Sequence, residues 1–154
     1  MGVRWGIFGL VLQLVLAGSA GAEEILVVIN PAAPVDRLSP DQLKEAYLGD
    51  AFFWGSVKIH PAELRLPPEL YAGFLQAIAS MSPERYEVYW IRKVFREGGM
   101  PPRPFESAEA LLAYVANTPG AVGFVRAADL GGAHVKIAAH LPYDPRPAPR
   151  PRAR

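Results

Sequence analysis

Two stretches decide the fold: Ile25-Leu-Val-Val-Ile-Asn-Pro31 and, a short loop later, Leu38-Ser-Pro-Asp-Gln-Leu-Lys-Glu-Ala-Tyr-Leu-Gly49. The first is an unbroken aliphatic run. An alternating run would mark a strand with one wet face; a continuous one marks a strand buried on both, in a sheet covered by helices. Asn30-Pro31 closes it as a turn. The second stretch is a helix with its signals in place. Ser39 caps, Pro40 takes the first helical position and Gln42 completes a capping box. Leu43, Tyr47 and Leu48 form the apolar side, and Gly49 is expected to end the helix in a left-handed conformation.

Toward the C-terminus, Phe52-Phe53-Trp54 reads as a loop, and Val57 to His60 as a second strand stopped by Pro61. The connection between these two strands is long enough for a parallel pairing. Pro67-Pro68 opens a helix with Leu70, Phe74, Leu75 and Ile78 at helical spacing. Ser82-Pro83-Glu84 opens another, with Tyr86, Tyr89, Trp90 and Val94 inward, Arg85, Arg92 and Lys93 outward, and Gly98-Gly99 as its stop. Met100 to Pro104 reads as an extended connector. Ser107 caps a fourth helix that buries Leu111, Leu112 and Val115. Thr118-Pro119-Gly120 suits a type II turn into a strand over Ala121 to Val125, and a last strand covers Val135 to Ala138. The outcome is a small mixed α/β sheet flanked by about four helices.

Toward the N-terminus, residues 1–22 read as a cleavable signal peptide. Arg4 supplies the charge, Trp5 to Leu16 is apolar except for Gln13, and Ala20-x-Ala22 suits a signal peptidase. The apolar run is shorter than the ~20 residues of a spanning helix, so no transmembrane anchor is expected in the mature chain and the compartment is the periplasm. Cysteine is absent, which excludes a lipid-modified cysteine, disulfides and thiolate metal sites. The 16 Lys+Arg and 15 Asp+Glu balance once Arg4 is removed. Residues 142–154 hold Arg146, Arg150, Arg152 and Arg154 against Asp144, among alternating prolines that disfavour helix and sheet. They are read as a disordered basic tail, with an arm touching an anionic surface as the other reading. The domain over 23–141 is then acidic overall, which argues against nucleic acid as a partner.

The order of these elements, with Leu38 to Gly49 and Thr118-Pro-Gly-Ala-Val-Gly-Phe124, resembles the periplasmic substrate-binding proteins of phosphate ABC transporters, and more narrowly their short single-domain members. The family's Leu-Thr-x-x-x-Leu-x-x-Ile-Phe-Leu-Gly and Thr-Pro-Gly-Ala-Ile-Gly-Tyr segments are matched there, and the likeness spans Ile25 to Ala138. It implies one lobe of a periplasmic binding protein-like fold, with phosphate or another small anion as ligand and an ABC permease or other envelope protein as partner. Full-length members hold phosphate between two lobes, and this lobe contributes an Arg-x-x-Gly-Ser-Gly-Thr loop at a helix start. Glycines there admit the backbone, hydroxyls donate and the helix N-terminus favours an anion.

In this chain Pro68-Glu69-Leu70 stands where Ser-Gly-Thr would be. Two prolines delete backbone donors, and Glu69 puts a negative charge where the anion would sit. Like charges 4 Å apart repel by ~1 kcal/mol in water and several times that in a semi-buried cleft. The anion loop is therefore read as degraded. Asn30, Arg65, Ser107 and Gly120 are the candidate residues for any ligand that remains.

Other residues carry plainer readings. His60, His134 and His140 have no metal-pair spacing, so no metal or cofactor is expected. His60 near Glu63 is an acid–base pair or a surface hydrogen bond; His134 and His140 are read as flanking the last strand and facing solvent. Ser39, Ser82 and Ser107 each precede a helix, as caps do. Phe52, Phe53, Trp54, Tyr86, Tyr89 and Trp90 are either core filling or, for Phe52-Phe53-Trp54, an exposed patch for a partner. Nothing assembles a nucleophile, base and oxyanion site, so an enzyme is not expected. Two functions stand: a solute-binding-like protein with a degraded anion loop, or a non-enzymatic envelope interaction module that has lost its ligand.

Overall fold

The computed structural model describes residues 23–145; the signal-peptide reading and most of the basic tail lie outside them. Seven strands and four helices follow in the order β1 (Glu23–Ile29), α1 (Pro40–Tyr47), β2 (Phe53–Trp54), β3 (Val57–Lys58), β4 (His60–Leu64), α2 (Pro68–Ala79), α3 (Pro83–Glu97), β5 (Arg103–Phe105), α4 (Ala108–Asn117), β6 (Ala121–Arg126) and β7 (Lys136–Tyr143). Five strands make one mixed sheet, β5-β4-β6-β1-β7, and β2-β3 is a separate hairpin. The mixed α/β class is as the sequence implied.

Ile25 to Ile29 are fully or almost fully buried, as an unbroken aliphatic run requires. The expected parallel partner is wrong, however. β1 pairs antiparallel with β6 on one side and with β7 on the other, so both its edges are taken. The Val57 strand turns back on Phe53–Trp54 instead. The parallel pairings are β4 with β6 and β4 with β5.

Pro61 does not stop a strand; it lies inside β4. The His60 amide donates to the Gly120 carbonyl on the β6 side, and the Arg65 amide to the Phe105 carbonyl on the β5 side. Alternation along a strand aims residue 61 toward β5, where pairing begins only at Ala62. The missing donor therefore costs no ladder bond. The connector before α4 likewise contains an edge strand, and Pro104 is tolerated there for the same reason.

β7 runs well past its expected end at Ala138. A bulge there breaks the period-2 signal: Val27 faces Ala139, Val28 faces Ile137, and Ala138 is skipped. The skipped carbonyl accepts from the Leu38 amide at 3.0 Å, which pins the entry to α1. Pro142 and Tyr143 thus belong to the sheet. Tyr143 packs against Gly73 and donates to Glu23 at 2.6 Å. His140 lies within this strand and pairs with Glu24 at 3.0 Å.

Helices cover both faces. On one, Phe124 of β6 stacks on Phe74 of α2 with centroids 3.7 Å apart, and Tyr47 of α1 meets Phe74 edge-on at 4.8 Å. On the other, Leu111 of α4 sits over Gly123, where a Cβ would come within 2.7 Å. The caps are as read: Ser39 with Gln42, Ser82 and Ser107 each accept or exchange a backbone hydrogen bond, and Gly49 has φ +71°.

Candidate functional site

The sheet separates the four candidate ligand residues into two pairs at opposite ends of β4. At its start, the His60 amide meets Gly120 and the Asn30 amide donates to Ala121 at 3.1 Å. At its far end, Arg65 meets Phe105, with Ser107 two residues on. β4 holds five residues, so the pairs lie ~16 Å apart at the strand rise of about 3.3 Å per residue. They do not converge.

Three of the four are committed to the scaffold. The buried Asn30 side-chain amide donates to the Val115 and Ala116 carbonyls at 2.9 and 3.1 Å, and its Oδ1 accepts from the Ala32 amide. It ties off the end of α4, where helical carbonyls lack intrahelical partners. Ser107 Oγ accepts from the Ala110 amide as an N-cap. Gly120 has φ +78°, and a Cβ there would stand 1.9 Å from the Lys58 carbonyl oxygen.

Arg65 lies at the carboxyl end of a parallel strand, where ligands of open α/β sheets bind. Its Nε and Nη2 donate to Glu63 Oε2 at 2.9 and 2.8 Å, and its guanidinium covers the Tyr71 ring at 4.7 Å. Glu63 is 1% exposed, and its Oε1 has no hydrogen-bond partner among the described residues. Burial pushes its carboxyl above the ordinary range, and Arg65 only partly opposes that. The same burial, reinforced by the Glu63 charge, raises the Tyr71 and Tyr86 hydroxyls. Glu63 therefore meets Arg65, not His60. Among the described residues, no group of His, Asp and Glu could hold a metal.

The start of α2 is where the resemblance places the anion loop. Pro67 and Pro68 open α2, Glu69 occupies its first turn, and no side chain caps it. Arg65, at the end of β4, is already paired with a buried acid.

Beside this end lies a groove of about 780 Å³, between the end of β4 and α3, walled by Trp90, Ile91, Phe95 and Pro101 over Glu63 and Arg65. α3 has two unlike faces. Its inner aromatics cap α1: Tyr86 Oη and Trp90 Nε1 donate to the Tyr47 carbonyl at 2.8 and 3.2 Å, and Tyr89 Oη to the Leu48 carbonyl at 2.6 Å. Lys93 reaches Asp50 at 2.7 Å. The outer face carries Val88, Ile91, Val94 and Phe95, exposed by 46, 64, 41 and 91%. Val94 thus departs from its expected inward place; α3 rests on its neighbours by a narrower strip than its apolar content suggests. Of the aromatic loop, Phe52 and Phe53 are exposed while Trp54 is buried, so Trp54 belongs to the core and not to a patch. The signal that sequence reading missed is the 3-4 spacing of Val88, Ile91 and Phe95, an apolar stripe opposite Tyr86 and Trp90.

No helix of the described residues is long and apolar enough to cross a membrane. No protein-family model and no curated protein matches the chain. Solved structures do. A putative phosphate ABC transporter substrate-binding protein of Clostridium perfringens, solved with bound phosphate, is similar over 77% of this chain and 45% of its own, with TM-score 0.61 and 13% identity. An ABC-type phosphate transport receptor of Vibrio cholerae is similar over 79% and 55%, with TM-score 0.51 and 17% identity. The chain spans about half the length of these neighbours, and at such identities the likeness is one of fold: the chain has the α/β fold seen in these two proteins.

Proposed function

We propose that the chain is an exported, non-enzymatic relative of the solute-binding proteins that works in the periplasm by docking on a protein through the outer face of α3, and not by clasping phosphate. The observation that carries this reading is a contrast within one site. The anion end is neutralised, with Arg65 spent on Glu63 and Glu69 in the first turn of α2, while the α3 face beside it is apolar and uncovered. A contiguous exposed apolar patch marks an interaction surface. An envelope protein, including an ABC permease, is the class of partner that the fold's transport neighbours suggest. The signal-peptide pattern of residues 1–22 supports the compartment.

A second reading keeps a small anion as ligand. It rests on the half-exposed Arg65, whose guanidinium has five donors and uses two on Glu63. Isothermal titration with inorganic phosphate separates the two. The docking reading predicts no saturable heat at millimolar phosphate. Saturable binding lost in Arg65→Ala would overturn it in favour of anion binding.

A further inference from the structure

The outer stripe of α3 is self-complementary. Glu84, Val88, Ile91 and Phe95 follow one another at spacings of four, three and four, along a 15-residue helix about 22 Å long. This is the a/d spacing by which one helix packs against another. The residues beside the stripe differ by side. On the helical wheel Arg85, Arg92 and Arg96 lie along one flank, and Glu87 with Val94 along the other. Arg85, Arg92, Arg96 and Glu87 form no salt bridge among the described residues.

We infer that the α3 face binds a second copy of this chain, the two α3 helices running parallel about a two-fold axis. This rests on the docking reading above and names its partner. In a parallel pair the two flanks cross, and Glu87 of one copy faces Arg92 of the other five residues on, twice by symmetry. In an antiparallel pair like flanks meet, and the three arginines of one copy would oppose those of the other. In the parallel arrangement the stripe lies on itself, so Val88 meets Val88, Ile91 meets Ile91 and Phe95 meets Phe95, while the two Glu84 carboxylates meet at the exposed first turn, where water and the helix N-termini offset their repulsion. A formal net charge of +1, or zero once Arg4 is removed, leaves little long-range repulsion between copies. The exposed Met100, just beyond the helix, extends the apolar surface. A helix pair of this size falls at the small end of specific interfaces, so the dimer is expected to dissociate at roughly micromolar concentration.

Sedimentation velocity on the chain recovered after export tests this across a dilution series. A monomer–dimer equilibrium is expected, abolished by Ile91→Glu with the fold kept, since Ile91 is already exposed. Glu87→Arg alone and Arg92→Glu alone should each weaken the dimer at least tenfold, and the double variant should restore it. The chain has no cysteine, so introduced thiols report orientation cleanly. V88C should cross-link to itself under oxidation, as should F95C. Heterodisulfides between V88C and F95C, in place of these self-disulfides, would overturn the parallel arrangement. A monomer at every concentration, or a dimer indifferent to Ile91→Glu, would overturn the proposal. Neither result touches the docking reading, which fails instead if phosphate binds saturably at Arg65.

Discussion

α2 and α3 are consecutive helices that both open on proline after an extended cap residue, yet they meet water differently. α2 buries Leu70, Tyr71, Phe74, Leu75 and Ile78 between the sheet and its neighbours. α3 buries only Tyr86 and Trp90 and leaves Val88, Ile91, Val94 and Phe95 outside. The inner face of α3 is held by hydrogen bonds to the end of α1 more than by a broad apolar contact. Such a helix is anchored along one edge and leaves the opposite one exposed. α2 is the more apolar of the two and is covered on a broad face, while α3 is charge-rich yet still leaves four large apolar side chains uncovered.

The largest effect that could break the comparison is on the aromatic core. Phe74 stacks on Phe124 and is fully buried, so Phe74→Ala should cost ~3–5 kcal/mol in urea unfolding. The same truncation at Phe95, 91% exposed, should change monomer stability by less than ~0.5 kcal/mol. Similar losses at both positions would mean that α3 is buried after all. Next comes Gly73→Ala, which drives a Cβ to 2.8 Å from the Tyr143 ring. Overpacking should cost ~1–3 kcal/mol, and a neutral result would detach the end of β7 from α2. Tyr86→Phe removes one of two donors to the Tyr47 carbonyl and should cost ~1 kcal/mol. A loss as large as that at Phe74 would show that α3 is held chiefly through that single bond.

Much of this is legible in the residues, and the failures have physical causes. Ile25 to Ile29 announce a strand covered on both faces, and Ser39 to Gly49 a capped helix, because local chemistry fixes both. The partners of β1 are not legible, since the pairing of short strands depends on which edges other strands already hold. Pro61 misleads because whether a proline breaks a strand depends on the side its missing donor faces. Ala138 misleads because a bulge erases the alternation that marks a strand. At the site, Asn30, Ser107 and Gly120 carry the residue types of an anion site and serve as scaffold, a difference visible only once Val115, Ala110 and Lys58 are placed beside them. The opening of α2 on Pro68-Glu69-Leu70 is readable. The pairing of Arg65 with Glu63 requires a strand through Pro61, which sequence reading ends too early.

Glu63 lies between the two helices, against Tyr71 of α2 and lining the groove under α3, and its titration tests which helix governs the pocket. Burial raises its carboxyl above the ordinary value near 4.5 in the folded chain. Below that value both folded and unfolded chains hold the proton, and the group sets no pH dependence. As pH rises, the unfolded chain releases the proton first, so the native state loses stability until its own raised value is passed. A glutamine side chain in place of Glu63 cannot titrate and escapes this loss. Glu63→Gln should therefore gain stability relative to the native chain on going from pH 4 to pH 7.5, read as a Tm difference that grows with pH. Arg65, nearly half exposed, can be solvated when its partner is neutral. The opposite slope, with the variant falling behind as pH rises, would mean that the ion pair outweighs the burial of its acid. The end of β4 would then be a stabilising charge cluster in its own right, and the contrast between a closed α2 and an open α3 would no longer account for it.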